Sequence, residues 1–445
     1  MHPVEKVKIL LEKRLKNDLI RLLSRLSPRE IAGIVARVKR EEKLEILRNV
    51  GLGKRARVLL LMNESDREHL LSDMAEQDIS LIISTMASDD ACRILRQAGE
   101  ERADHILSHL PSERRELLRS QLRHSREVAG GMMQREYIAF KATEKAGEAL
   151  ERIKGTEERL VPPDFYVVDE KGGLVGRITL IRLLKAEREQ LISDVMERDP
   201  PAIGLLEDRE KVIRIFQDRK VHTLPVMEKK RLVGIITLDD ALRVLEEEQS
   251  EDIFKMFSLE KNEHALDPVI KSLRTRTPWL LINLATAFLA ASVVGLFEDV
   301  IKSFVLFAVF LPVVAGEGGN ATTQTMAVVV RSLALKEITS QELIKVVRKE
   351  VTVAFLNGAL TGLIAAFFAI LWKGSPLIGL ALFLAMIINL VVAGLAGALI
   401  PLILDRVGSD PASSSTVILT TFTDIFGFLS FLGIGAILIR IFGLS

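Results

Sequence analysis

Leu419-Thr-Thr-Phe-Thr-Asp-Ile-Phe-Gly427 places one carboxylate among threonines inside a long apolar stretch near the end of the chain. A charged side chain at the centre of a bilayer costs about 2.5–3.5 kcal/mol even on permissive insertion scales. Carboxylate and hydroxyl oxygens are the ligands that hard cations such as Mg²⁺ and Ca²⁺ prefer. The stretch therefore predicts that Asp424 binds a divalent cation within a membrane-spanning helix; the alternative is a polar contact that is satisfied between helices.

Five apolar stretches after residue 277 are long enough to cross a bilayer as helices. Only two carboxylates, Glu317 and Asp424, lie well inside them. Basic residues cluster at 271–276 and 331–350, so the positive-inside rule places the N-terminus in the cytosol and, after five spans, the C-terminus outside. The predicted spans are 278–297, 304–330, 351–372, 377–404 and 415–440.

The second span contains Gly316-Glu-Gly-Gly-Asn320, where glycines are expected to open the helix and expose backbone carbonyls. Glu317 is then part of the ion path, or pairs with Arg331, or caps the break. In the last span, residues 416, 420, 423 and 424 share one helix face. The predicted pore-lining residues are Glu317, Gly318, Gly319, Asn320, Gln324, Thr416, Thr420 and Thr421.

Other polar and small residues of the spans have simpler expected roles. Asn357 and Asn389 favour hydrogen bonds between helices over ion binding. Gly394, Gly397 and Ala398 permit close helix packing.

The first 277 residues have the composition of a soluble region, with 51 Lys and Arg against 50 Asp and Glu. That length has room for two domains. The start of the chain lacks the apolar segment of a signal peptide, and the single cysteine, Cys92, suits a reducing compartment, so this region is expected in the cytosol. The near-neutral charge argues against nucleic-acid binding.

Apolar residues recur every twelve positions through residues 1–130. One row runs Leu26, Val38, Val50, Met62, Met74, Met86, Ala98, Leu110, Leu122, and two further rows lie three and four residues earlier. This pattern predicts about eight short helices stacked into a superhelix. Helix starts are expected at 27–28, 63–66, 88–90 and 111–112. Asp89 and Asp90 are either N-caps there or regulatory metal ligands.

Val168–Leu180 and Val226–Leu238 are similar sequences 58 residues apart. Each predicts strand, turn, strand and a helix capped by Thr179 or Thr237, with an amphipathic helix (144–154 or 208–219) before it. The pair resembles tandem CBS domains, a regulatory α/β module, here residues 131–243, that binds adenosyl ligands or ions. The resemblance makes Thr237 and Asp240 candidates for binding a nucleotide such as ATP; capping alone also explains the threonines. Gly176 and Gly234 fit a close approach of strands.

An acidic segment, residues 244–277, connects this pair to the first span. Glu248, Glu251 and Asp252 would share one face of a helix, where like charges repel unless a cation neutralises them. Solvated acidic helices are common, so the alternative is a simple surface. As a metal site, the segment would work with other nearby acids. These are Glu247, which flanks them, and Asp239 and Asp240, which lie two turns upstream.

The whole chain resembles the MgtE family of magnesium channels. The motifs that carry the resemblance are Arg276-Thr-Pro-Trp-Leu-Leu-Ile-Asn283, Pro312-Val-Val-Ala-Gly-Glu-Gly-Gly-Asn-Ala-Thr-Thr-Gln324, Gly408-Ser-Asp-Pro-Ala412 and Thr420-Thr-Phe-Thr-Asp-Ile-Phe-Gly427. The resemblance implies a homodimer with the pore on its two-fold axis and Asp424 as the ion-selecting residue. It also implies that cytosolic Mg²⁺ bound to acids of the cytosolic region holds the pore shut. The best matches by position are Asp240, Glu248, Glu251 and Asp252, with Glu207 and Asp208 as further contributors.

The expected protein is thus a multidomain membrane protein of the cell membrane: an all-α superhelical domain, an α/β CBS pair, and an all-α domain of five spans. The alternative function is an ion- or proton-coupled carrier for another substrate, regulated by adenylate binding to the CBS pair, with Glu317 as proton relay. No enzyme is expected, because the seven histidines show no metal-ligand spacing and no Gly-rich phosphate loop follows a strand.

Overall fold

The computed structural model describes residues 3–156, 162–259, 263, 265, 267, 269–335, 337–338, 342–413 and 416–442. They form two compact units, residues 1–247 and residues 248–445. The first unit contains a helical part followed by two small α/β modules. The second contains the long apolar helices.

Ten short helices make up the helical part of the first unit, and nine of them, α2 to α10, carry the twelve-residue repeat. The prediction of about eight was slightly low. Their bounds are α1 Pro3–Glu12, α2 Lys16–Arg25, α3 Pro28–Val35, α4 Arg40–Arg48, α5 Leu52–Leu61, α6 Glu64–Asp73, α7 Glu76–Ile83, α8 Ser88–Ala98, α9 Glu100–Ser108 and α10 Ser112–Leu122.

The repeated apolar residues form one continuous core, as predicted. Ile46, Val58, Ile82 and Ile94, all from one row, are completely buried. Each helix of about ten residues is too short to be stable alone, so it depends on burying this face against its neighbours. The repeat in the sequence is therefore the repeat of the core.

The predicted helix starts are confirmed, but the role of two acids at one of them was wrong. Ser27 accepts a hydrogen bond from the Glu30 amide and begins α3. At α8 the N-cap is Ala87, and Asp89 and Asp90 lie inside the first turn. Neither aspartate is therefore an N-cap.

The two α/β modules have the order predicted from the pseudo-repeat. In each, a hairpin ends in a threonine whose hydroxyl accepts the amide hydrogen bond that starts the next helix. The first module has β1 Ala139–Lys141, α12 Ala146–Lys154, β2 Asp164–Val168, β3 Leu174–Thr179, α13 Leu180–Lys185, α14 Ile192–Val195 and β4 Glu197–Arg198, with sheet order β1-β2-β3-β4. The second has β5 Ile203–Gly204, α15 Arg209–Arg219, β6 Thr223–Glu228, β7 Arg231–Thr237 and α16 Leu238–Met256, with sheet order β5-β6-β7.

A short segment before the first module completes the second one. Helix α11 (Ala129–Met132) packs on α15 and β7, and Gln134 pairs with Ile235 of β7. A Cβ on Gly234 would lie 2.8 Å from the Gln134 carbonyl, and a Cβ on Gly176 would lie 2.9 Å from the Glu197 carbonyl. The expected close approach of the backbone is confirmed at both glycines, one in each module.

Besides the end of α16, the described residues of the second unit form one short and five long α-helices. Four of the long helices described (α17, α20, α21 and α22) are long and apolar enough to cross a bilayer. The fifth, α19, has 29 residues, and its polar Gly316–Asn320 segment lowers its hydropathy. The bounds are α17 Val269–Gly295, α18 Glu298–Ser303, α19 Leu306–Ala334, α20 Leu343–Lys373, α21 Pro376–Arg406 and α22 Thr416–Ile441, with a 3₁₀ turn at Pro411–Ser413.

The predicted opening of the second span is wrong, because α19 continues as a regular helix through Gly316–Asn320. In an apolar environment, backbone groups freed by a break have no water to bind, so the helix keeps its own hydrogen bonds. The glycines serve packing instead. Gly318 lies directly against the Asn389 side chain of α21, and Gly319 approaches Thr420 of α22.

Close packing at Gly394 and Gly397 of α21 is confirmed. A Cβ on Gly397 would lie 2.8 Å from the Thr322 carbonyl of α19, whereas a Cβ on Gly316 would meet nothing within 4 Å.

We predict that Gly397→Ala lowers the melting temperature of the detergent-solubilised protein, because two helix backbones must separate. Overpacking of this kind typically costs about 1–3 kcal/mol. The matched control, Gly316→Ala, should leave the melting temperature unchanged or raise it, since alanine is the better helix former. Equal melting temperatures for the two variants would contradict this account of the α19–α21 contact.

Candidate ion pathway and regulatory acids

Asp424 lies in the middle of α22, one turn after Thr420, and is partly buried. Its carboxylate makes no hydrogen bond and no ion pair with any residue that the structure describes. The simpler interpretation, a polar contact satisfied between helices, therefore has no support within the described residues. A carboxylate in this position is costly unless it is paired, protonated or bound to a cation.

The threonines around Asp424 point their donors at their own helix. The Thr420 hydroxyl donates to the Thr416 carbonyl over 2.9 Å, and the Thr423 hydroxyl donates to the Thr420 carbonyl over 2.9 Å. Thr421 does the same to Val417 over 2.7 Å. A hydroxyl that donates still has lone pairs, so these oxygens are left as acceptors. They can accept hydrogen bonds from the water shell of a cation.

Asn389 is the polar contact that joins the three helices next to this site. Its side-chain nitrogen donates to the Val314 carbonyl of α19 over 2.8 Å, and the residue is fully buried. Gly318 of α19 and Gly427 of α22 both pack against its amide. The prediction of an interhelical hydrogen bond is confirmed, and this contact holds α19 beside the turn that carries Asp424.

The predicted pore-lining residues of α19 lie on different sides of that helix. Gly318 is buried, while Glu317, Asn320 and Gln324 are exposed in the single chain. Arg331 lies 14 residues after Glu317, about 21 Å along the helix, so the two side chains do not pair. With no break in α19 there is also no cap for Glu317 to provide, and both minor roles suggested for it were wrong.

The carboxylate of Asp240, in the first turn of α16, is fully engaged by protein donors. It accepts from the Thr237 hydroxyl over 2.5 Å, from Gln134 over 3.2 Å and from Arg243 over 3.0 Å. The residue is buried. A ribose that used Asp240 would have to displace these donors.

Arg243 also faces the two aspartates of α8. Burial raises the pKa of the Asp89 carboxyl well above its usual range, Asp240 and Asp90 raise it further, and Arg243 opposes them. Burial raises the pKa of Asp90 as well, against the effects of Arg93 and Arg243. Three acids named from the sequence therefore lie together in the fold, although Asp240 is about 150 residues from Asp89 and Asp90.

Most of the remaining predicted acids also face basic side chains or backbone donors. Glu247 faces Arg126 and Arg209, at 3.2 and 3.9 Å. No three acidic, histidine or cysteine side chains among the described residues are arranged to hold a metal ion. The others are placed as follows: Glu207 pairs with Lys211, Asp208 caps α15, Asp239 is exposed in α16, Glu251 pairs with Lys255, and Glu248 and Asp252 lie one turn apart on α16.

Lys255 joins α16 to the loop before α22, a contact that was not predicted from the sequence. Its ammonium lies 2.8 Å from Glu251 and 2.7 Å from Asp410. Burial opposes its charge, but the hydrogen bonds to Asp410 and Glu251 raise the pKa of Lys255 above its usual range. The i, i+4 spacing of Glu251 and Lys255 was a visible signal. The contact with Asp410, 155 residues away, was not.

Comparison with known proteins identifies the chain. Residues 26–127 match the MgtE intracellular N domain, residues 126–189 and 192–247 match the CBS domain, and residues 311–434 match the MgtE profile described as a divalent cation transporter. The magnesium transporter MgtE of Thermus thermophilus is 32% identical over 330 residues, which cover 72% of this chain and 71% of that protein. The chain belongs to the MgtE family.

Other members and solved structures agree with this assignment. The magnesium transporter MgtE of Bacillus subtilis is 29% identical over 72% of this chain and 71% of its own length. The cytosolic domain of the Mg²⁺ channel MgtE in complex with ATP superimposes with a TM-score of 0.51 at 25% identity, over 54% of this chain and 99% of that one. The predicted family, fold class and absence of enzymatic function are confirmed, since MgtE proteins are transporters.

We predict that Lys255 and Asp410 are energetically coupled. Lys255→Met and Asp410→Asn should each lower the melting temperature, and the double variant should lose less than the sum, because the second change removes a pair already broken. The expected coupling is about 0.5–1 kcal/mol for a partly exposed pair. Asparagine keeps the oxygen that accepts from the Ala412 amide, so the turn at 411–413 is retained.

Lys302 and Glu298 of α18 form an exposed ion pair at 2.8 Å and provide the matched control. A cycle on that pair should show no coupling. Coupling of similar size in both cycles would mean that the Lys255 contact is an ordinary surface pair.

Proposed function

We propose that this protein is a Mg²⁺-selective channel in which Asp424 supplies the charge that attracts the ion. The observation that carries the proposal is the Asp424 carboxylate, which lies within apolar helices and has no cationic partner among the described residues. A carboxylate without a counterion is unfavourable in such a place unless a cation occupies it. Relatives at 29–32% identity are magnesium transporters.

The ion passes Asp424 with its water shell largely intact. Mg²⁺ dehydrates reluctantly and keeps several waters when it binds to proteins. The threonine oxygens of α22 are acceptors for the hydrogens of that shell, and the carboxylate balances the charge. One carboxylate is little for a divalent ion, so we propose a homodimer that places two of them around a shared two-fold axis.

We propose that cytosolic Mg²⁺ closes the channel by binding to acids of the first unit and of α16. Glu248 and Asp252 are one turn apart on α16, the helix that leads from the second CBS module toward the first span. A cation between them would stabilise whichever conformation brings the regulatory acids together. The regulatory set predicted from the sequence also contains Asp89, Asp90, Glu207, Asp208, Asp239, Asp240, Glu247 and Glu251.

The topology follows from the charge distribution. We propose that the helical domain (1–130), the CBS pair (131–243) and the connecting segment (244–277) lie in the cytosol. Five spans from residue 278 onward then place the C-terminus outside the cell membrane.

We propose ATP as a second ligand of this protein, bound by the CBS pair. A relative's cytosolic domain was crystallised with ATP. In this chain, Thr237 and Asp240 are hydrogen-bonded to one another, and Asp240 also binds Gln134 and Arg243. ATP binding through Asp240 therefore requires rearrangement of these residues, and ATP should bind more tightly once the Gln134 side chain is shortened.

We predict that Asp424→Asn lowers Mg²⁺ flux into proteoliposomes at least about tenfold, equivalent to about 1.4 kcal/mol. The change keeps the shape of the side chain and removes the charge that attracts the ion. Asp299→Asn, on the exposed surface of α18, is the matched control and should conduct like the wild type. Unchanged flux in Asp424→Asn, with loss in Glu317→Gln and a requirement for a pH gradient, would favour the proton-coupled carrier.

We also predict that the double change Glu248→Gln and Asp252→Asn weakens inhibition by cytosolic Mg²⁺. The loss of two charges should raise the half-inhibitory concentration about tenfold, since each carboxylate strengthens cation binding. Glu246→Gln, on another face of the same helix, is the control. Identical inhibition curves for the double variant and the wild type would remove these acids from the sensor.

A further inference from the structure

The side chain of Arg243 lies between the helical part and the second CBS module of the first unit. Its guanidinium is 3.8 Å from Asp89 and 3.7 Å from Asp90, both on α8. On its own helix, it is 3.0 Å from Asp240. Three carboxylates from two parts of the fold therefore surround one positive side chain.

Without Arg243 these carboxylates would push the two parts of the fold away from each other. Both Asp89 and Asp240 are at least nine-tenths buried, where water screens their repulsion poorly. Burial disfavours the charge of Arg243, but Asp240, Asp90 and Asp89 together raise its pKa above the ordinary value. The guanidinium is thus the charge that compensates the cluster.

The cavity beside the Arg243 guanidinium is unsuited to a metal ion. The cavity there is only about 20 Å³, enough for about one water molecule. A hydrated Mg²⁺ ion is much larger. The five arginines of the lining also outnumber its two acids, Asp89 and Glu247, so the charge of the cavity would repel the ion. The arginines that line the cavity are Arg93, Arg96, Arg126, Arg209 and Arg243.

Other hydrogen bonds between protein groups also join the helical part to the second CBS module. Arg96 of α8 donates to the Gly131 carbonyl over 3.2 Å, and Gln121 of α10 donates to the Met133 carbonyl over 2.6 Å. The Arg135 amide donates to the Ser88 hydroxyl over 2.9 Å. Each of these hydrogen bonds joins the helical part to the segment that completes the second CBS module, and none of them needs an ion.

We propose that Arg243 is a built-in counterion that keeps the helical domain and the second CBS module together without a metal ion. The inference rests on the proposed function, because it removes Asp89, Asp90 and Asp240 from the set of acids that sense Mg²⁺. Sensing then falls to the acids of α16 that follow Arg243. Replacing Arg243 vacates a cation position among three carboxylates, which Mg²⁺ can then fill.

Hydrogen exchange on the full-length protein in detergent tests this, with peptides that cover residues 84–92 and 131–137. In the wild type, protection should be the same in EDTA and in millimolar Mg²⁺. In Arg243→Gln, protection in EDTA should fall at least about tenfold, and Mg²⁺ should restore it. Arg243→Lys keeps the positive charge and should stay protected in EDTA.

Arg177→Gln is the matched control, because Arg177 pairs with Glu197 inside the first CBS module, 2.6 Å apart. Its exchange at the two peptides should equal that of the wild type. Wild-type protection that disappears in EDTA would overturn the proposal, as would full protection of Arg243→Gln in EDTA. If Mg²⁺ does not restore the exchange protection of Arg243→Gln, the idea that Mg²⁺ can occupy the position of the Arg243 guanidinium is overturned.

Mg²⁺ flux in the same preparations separates this proposal from the proposed function. Wild-type protein that conducts, is inhibited by Mg²⁺ and stays protected in EDTA supports both. Protein that does not conduct but shows the expected exchange pattern would remove the channel and leave the Arg243 counterion in place.

Discussion

The structure depends on one constraint: a charge taken out of water must be neutralised nearby. In the first unit the fold satisfies this with its own side chains, as when Arg243 lies among Asp89, Asp90 and Asp240. In the apolar helices of the second unit, Asp424 has no such partner among the described residues. We propose different chemistry for the two sites: Arg243 neutralises the first cluster, and a cation neutralises Asp424.

Small residues allow the helices around Asp424 to pack closely. The helices α19, α21 and α22 approach closely because Gly318, Gly397 and Gly427 leave room for neighbouring atoms. Asn389 then fixes α19 against α21 by a buried hydrogen bond, which is favoured where no water competes. The threonine hydroxyls of α22 donate to the backbone of their own helix, so Asp424 lies in a polar strip within otherwise apolar helices.

Helix α16 carries charge pairs near both of its ends. Arg243 contacts Asp240 close to its start, and Lys255 contacts Glu251 and Asp410 close to its end. Between them in the helix lie Glu247, Glu248 and Asp252, which we propose as acids of the Mg²⁺ sensor.

The sequence by itself determined the features that repeat at short range. The twelve-residue period gave the core of the helical domain, the 58-residue offset gave the paired modules with their threonine caps, and the apolar lengths gave the long helices, because periodicity and capping are local. Only the tertiary structure decided which distant residues meet. Arg243 faces Asp89 across about 150 positions, segment 129–134 completes the second module, and Gly316–Asn320 stays helical. These contacts depend on packing between distant segments and on the exclusion of water, and a local sequence pattern predicts neither.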